Sequence, residues 1–227
     1  MTMQWKGLTE EEALSLPVDE LALRVLRAVR DSREWNEYNW YNTMHGMARF
    51  GDPALHRCAE AWGWLRARGL IARAPQNNPD AIFVTRRGEE VLEKGLGVVR
   101  AAERLDVDLH PRLEARVRRQ FLLGEYELAA FAALKEVEVA VRDKAGEPNS
   151  SIGVGLMRRA FQPGTGPLTD AGADGGEQQA RSDLFAGAIG LFKNPSSHRP
   201  VNYDDPTLAS EVVLLADLLL RLVDPPT

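Results

Sequence analysis

Lys193, Asn194 and His198 place an ammonium, an amide and an imidazole within six residues, and Arg199 adds a guanidinium directly after them. RNA carries its own nucleophile, the 2′-hydroxyl. To cleave it without a metal, a protein must take that proton, offset the charge growing on the phosphorane and protonate the leaving 5′-oxygen. An imidazole titrates near neutral pH and suits the proton transfers. Lys193 and Arg199 can supply the charge, and the Asn194 amide can orient the phosphate or the imidazole. The same residues also fit a polar turn in which His198 bonds only backbone, and their types alone do not separate the two readings.

The element that must hold them precedes them. Leu184, Phe185, Ala188, Ile189 and Phe192 recur at helical spacing and form one apolar face. Ala186, Gly187 and Gly190 are small enough to admit another backbone. Pro195 cannot donate an i→i−4 bond, so the helix should stop there, and Pro200 closes the polar loop.

A basic residue, a polar neighbour, a short gap and a histidine resemble the R-x(4–6)-H motif of HEPN-domain ribonucleases. The run LFAGAIGLFKNPSSHR, with AALKEVEVAVRDKAG upstream and LMRRAFQPGTGPLTD between them, resembles the Ymh-type branch of that superfamily, found in bacteria and phages; the resemblance covers most of residues 106–224. The family usually carries Arg where this chain has Lys193, and the bidentate guanidinium fork is then lost. The resemblance implies a HEPN-like helical bundle and a metal-independent endoribonuclease leaving a 2′,3′-cyclic phosphate. It further implies a site shared by two motif loops across a homodimer, in a toxin or antiviral defence effector. The alternative is a non-catalytic regulator that dimerises through the bundle and binds DNA or protein.

Upstream, Lys135, Glu138 and Arg142 lie at i, i+3 and i+7, a charged stripe on an otherwise apolar helix, Glu125–Lys144. They fit either a helix-surface ladder of ion pairs or a substrate-facing stripe in which Glu138 orients His198 and Arg142 meets phosphate. Ser151 is expected to cap a short helix through Phe161. Residues 162–176 read as a flexible, glycine-biased connection. The last helix, opened by Asp205 and Pro206, is apolar on nearly every side and belongs in a bundle centre or a subunit interface.

The first part of the chain has a different pattern. Helices are expected from Asp19, over Glu34–Arg49 and from Pro53, with Asp52 as N-cap of the third. Leu70–Arg73 and Ala81–Thr85 read as a hairpin, and Arg86–Lys94 as a closing helix. Three helices, a hairpin and a helix make the order of a winged helix-turn-helix domain, and AEAWGWLRARGLIA…AIFVTRRGEEVLE resembles prokaryotic winged-helix domains. Arg57, Arg66 and Arg68 on the third helix, with Arg86 and Arg87 after the wing, are the candidate nucleic-acid contacts, docking of a protein being the competing use. The expected layout is mainly α: residues 1–98 a winged-helix domain with an N-terminal arm, 99–108 a linker, 109–227 the helical bundle.

Composition narrows the partners. The formal net charge is −5; residues 1–100 hold 14 basic and 14 acidic side chains, residues 101–227 hold 14 and 19. RNA binding in the second half therefore needs a local cationic pocket rather than a broad positive field. One cysteine, Cys58, excludes an internal disulfide and suits a cytoplasmic protein. His45, His56 and His110 are scattered, without ligand spacing, so no metal or other cofactor is expected. No leader or membrane span is expected either: Glu10–Glu12 follow Met1–Gly7 at once, and Val212–Leu220 is short and interrupted by Asp217.

Overall fold

The structure, a computed structural model, describes residues 8–32, 36–46, 50–75, 80–193 and 205–224. It is mainly helical and divides into two compact units, Met1–Val99 and Arg100–Thr227. Among the described residues no helix is long and apolar enough to cross a membrane.

The first unit opens with α1 (Glu10–Ser15). Its start is a reciprocal capping box: the Thr9 hydroxyl accepts from Glu12 N at 3.1 Å and the Glu12 carboxylate accepts from Thr9 N at 2.9 Å. Helices α2 (Val18–Ser32), α3 (Glu37–Gly46) and α4 (Asp52–Ala67) follow. Helix α2 buries Leu21, Ala22, Val25, Leu26 and Val29, a stripe set by its 3.6-residue period. Trp40 of α3 meets Trp62 of α4 edge to face, centroids 5.5 Å apart. Gly51, not Asp52, occupies the N-cap of α4; Asp52 is the first helical residue, its carboxylate beside the positive helix end. Strands β1 (Ile71–Arg73) and β2 (Ile82–Val84) pair antiparallel with Ile71 opposite Val84. Helix α5 (Arg86–Lys94) is capped by Thr85, whose hydroxyl accepts from Gly88 N at 3.1 Å.

Helix α6 (Gly97–Arg104) runs through much of the stretch expected as a linker, with Val98 and Val99 buried in the first core and Ala101 and Leu105 in the second. The second unit begins with two short helices, α7 (Pro111–Glu114) and α8 (Val117–Leu122). His110 starts α7: its Nδ1 accepts from Arg112 N at 3.3 Å while Nε2 donates to the Asp224 carbonyl at 2.6 Å. Helix α9 (Tyr126–Ala145) is the axis of this unit and ends at Gly146, which is left-handed at φ 67°. Helices α10 (Gly153–Ala160), α11 (Gly175–Ala188) and α12 (Pro206–Val223) complete it; α12 lies along α9, and Phe161 stacks on Phe185 of α11 at 4.2 Å.

The glycine-biased connection is an ordered loop rather than a loose tether. Gln178 accepts from Gly164 N at 2.9 Å and donates to the Asp170 and Ala173 carbonyls, and Thr169 Oγ1 donates to the Gln162 carbonyl at 2.8 Å. Glycine bias here serves close backbone approach: a Cβ on Gly166 would lie 2.6 Å from the Ala160 carbonyl oxygen.

Two measurements check this packing. A Cβ at Gly88 would run into the Leu70 carbonyl oxygen and lie 2.7 Å from Val84 Cγ1, whereas nothing lies within 4 Å of one at Gly63. Gly88→Ala should therefore cost about 1–3 kcal/mol in urea unfolding, as overpacking does; Gly63→Ala should be neutral or gain about 0.5–1 kcal/mol from helix propensity. Burial pushes the Cys58 thiol up to about 12, so at pH 8 it stays protonated in the native state. A thiol reagent should modify it at a rate that follows unfolding and is set by denaturant.

Candidate functional site

Helix α11 does not simply stop at the polar segment. Over Ile189–Lys193 it widens into a π turn, in which each hydrogen bond spans one residue more than in an α-helix. Gly190 allows this crowding, since a Cβ there would lie 3.1 Å from Val154 Cγ2 of α10. Ile189 is buried, Phe192 packs against the core, and Lys193 at the end of the turn points inward with its side chain only 12% exposed.

Its partner is Glu138, on α9 and 4% exposed. Lys193 Nζ donates to Glu138 Oε2 at 2.8 Å. The same oxygen accepts from Gly153 N at 2.7 Å, and the other carboxylate oxygen stands 3.7 Å from Arg142 Nη1. A carboxylate removed from water at this depth is tolerable only with such company. Gly153 is the first residue of α10 and sits at φ 63°, in the left-handed region that disfavours a side chain. Its N–H is one of the orphan donors of that helix, and Ile152 at the N-cap offers no side-chain acceptor. Glu138 thus caps α10 from another helix.

Ser151, the expected cap, faces elsewhere. Its hydroxyl donates to Glu147 Oε2 at 2.5 Å and accepts from Arg159 Nη2 at 3.0 Å, while its carbonyl accepts from Arg142 Nη1 at 3.3 Å. These bonds, from Ser151 first and then from Arg159, hold the Glu147 carboxyl below the usual carboxylate range. A continuous polar chain therefore runs from Lys193 through Glu138 and Arg142 to Ser151, Glu147 and Arg159.

Three of the residues expected at the site come together here: Lys193, Glu138 and Arg142. Glu138 is neither a surface-ladder residue nor an open substrate-facing group, because it is buried. Lys135 remains exposed and outside the cluster. Asn194, His198 and Arg199 lie outside the described residues. Gly153, Ser151 and Glu147 were not expected as partners; the signal that could have pointed to them is the lack of a good N-cap side chain at Ile152 before a helix needing one.

In the first unit the candidate contacts on α4 are largely engaged within the fold. Arg57 pairs with Glu60 and donates to the Leu16 carbonyl, Arg66 pairs with Glu37, and Arg68 lies 4.1 Å over the Trp64 ring. Arg86 is exposed and Arg87 half-buried at the start of α5. Among the described residues no three His, Cys, Asp or Glu side chains converge as a metal site would require.

Glu138→Ala would leave Lys193 and Arg142 desolvated without their counter-charge, and should cost about 3–5 kcal/mol in denaturant unfolding. Adding Lys193→Met to that variant should recover part of the loss; an equal or larger loss in the double variant would mean that the pair is not the reason for the cost.

No curated protein and no solved structure matches the chain. A family model described as a protein of unknown function (Hypoth_ymh) matches residues 107–223, more than half of the chain. That range takes in α7 to α12, and with them the Glu138–Lys193 pair and the polar segment that follows it. The Ymh resemblance read from the motifs holds, and the chain belongs to the Hypoth_ymh family.

Proposed function

We propose that the second unit is a HEPN-type, metal-independent endoribonuclease, acting as a toxin or antiviral effector. The observation that carries this reading is the buried Glu138–Lys193 pair, which anchors the first residue of the Lys193–Arg199 segment to the central helix. A segment tethered in this way can present an imidazole with the small positional tolerance that proton transfer demands. His198 moves the protons, Asn194 orients the phosphate, and Arg199 offsets the charge on the phosphorane. Lys193 then acts as a positioning residue, since its ammonium is already committed to Glu138. The RNA 2′-oxygen attacks the adjacent phosphorus, the 5′-oxygen leaves with a proton, and the products are a 2′,3′-cyclic phosphate and a 5′-hydroxyl.

One His198 per chain gives one proton-transfer group, so an acid–base pair calls for two copies. Support for a homodimer through the bundle comes from apolar side chains left in water: Leu208, Leu218 and Leu222 on α12, with Leu184 and Leu191 on α11 and its π turn. From α2 onward the first unit runs helix–helix–helix–hairpin–helix, an order that supports a winged-helix module that docks DNA or protein.

A second reading also has an observation behind it. The Lys193 ammonium is held by an acid instead of facing solvent, and the R-x(4–6)-H motif that the segment resembles would have an arginine there. That favours a non-catalytic regulator built on the same bundle. Incubating total RNA with the protein in EDTA separates the two. The nuclease reading expects cyclic-phosphate ends from the wild type and at least a hundredfold loss in His198→Ala. No cleavage by the wild type, with duplex DNA still bound, would replace it with the regulator.

A further inference from the structure

The first unit holds a cleft of about 450 Å³ between α3, the end of α4 and the hairpin, within the roughly 300–1,000 Å³ typical of small-molecule sites. Its inner wall is self-satisfied. Ile82 is buried, and the Tyr41 ring is braced edge-on against Trp40 at 5.4 Å. Glu37 accepts from Arg66, and its charge lies close to the Tyr41 hydroxyl. Burial foremost, and then the charge of Glu37, raise the Tyr41 pKa, so its phenol stays neutral.

Two groups at the mouth are not satisfied in this way. Arg73 is exposed, and no described residue pairs with its guanidinium. Tyr38 is 67% exposed, although an aromatic of that size is costly to leave in water. A planar cation with bidentate donors suits a phosphate or carboxylate, and a bare ring suits a flat aromatic face. The charge on the lining limits the ligand. Arg66 and Arg73 are balanced by Glu37 and Asp80, so the cleft has no excess positive charge to hold a polyphosphate or follow a duplex backbone. One phosphate beside one stacked ring is what these groups accommodate.

We infer that this cleft binds a single nucleoside phosphate, with the base stacked on Tyr38 and the phosphate on Arg73. The ligand is either a free mononucleotide or one residue of a single strand. The Asp80 carboxylate in the lining disfavours a second phosphate. The inference does not rest on ribonuclease activity.

Calorimetric titration of the full chain with AMP, GMP, CMP and UMP, and separately with a 2′-O-methyl dodecanucleotide, tests it. One saturable mononucleotide site is expected, weakened about tenfold or more in both Arg73→Ala and Tyr38→Ala, and only oligonucleotide binding that these substitutions weaken is assigned to the cleft. Because both side chains are exposed, the variants should melt with the wild type by circular dichroism. Saturation by mononucleotides identifies a small-molecule site; saturation by the oligonucleotide alone identifies a strand site. No saturable binding of either, or binding undiminished in both variants, overturns the proposal.

Discussion

A carboxylate in the core of the second unit dictates where three separate elements meet. Glu138 has lost its water, and its charge is answered by an ammonium from the π turn, a backbone N–H from the start of α10 and a guanidinium one turn along α9. Each partner is itself largely removed from solvent, so none can leave without stranding a charge or an orphan donor. The pairing joins residues 55 and 15 positions apart in the chain. Together with the apolar packing of Phe161, Phe185 and Ile189, it makes the end of α11 a fixed point.

The π turn follows from that requirement. Lys193 ends its helix inside the unit, and widening over Ile189–Lys193 is the local adjustment that accompanies its inward course. Gly190 provides the room beside Val154, and Gly153 adopts the left-handed conformation at the other side of the same carboxylate. Two glycines thus serve one acid. The cationic character expected of the segment is altered as well, because the Lys193 ammonium is neutralised by Glu138.

A comparable economy governs the first unit. Arginines on α4 that look like a phosphate-reading set are bound to Glu60, Glu37 and the Trp64 ring. Short-range partners win because an ion pair or stacked contact already formed in the fold need not be ordered again on binding. Arg73 and Tyr38, both exposed, lie at a cleft rather than along the helix.

Much was legible in the residue pattern. Apolar patterning located α2, α4, α9 and α12, and the Ymh motifs identified the family of the second unit. Local signals suffice for these because caps and amphipathic faces are decided within one or two turns. Where α10 finds its cap, why residues 162–176 are ordered and which cation meets Glu138 were settled only by tertiary structure. Ser151 had the right chemistry for the cap and was turned toward Glu147 and Arg159, while an acid fifteen residues before Gly153 took its place. Sequence spacing states which groups one helix face can share; only the packing of α9, α10 and α11 states which charges lose their water together, and a buried charge chooses its partners by that proximity.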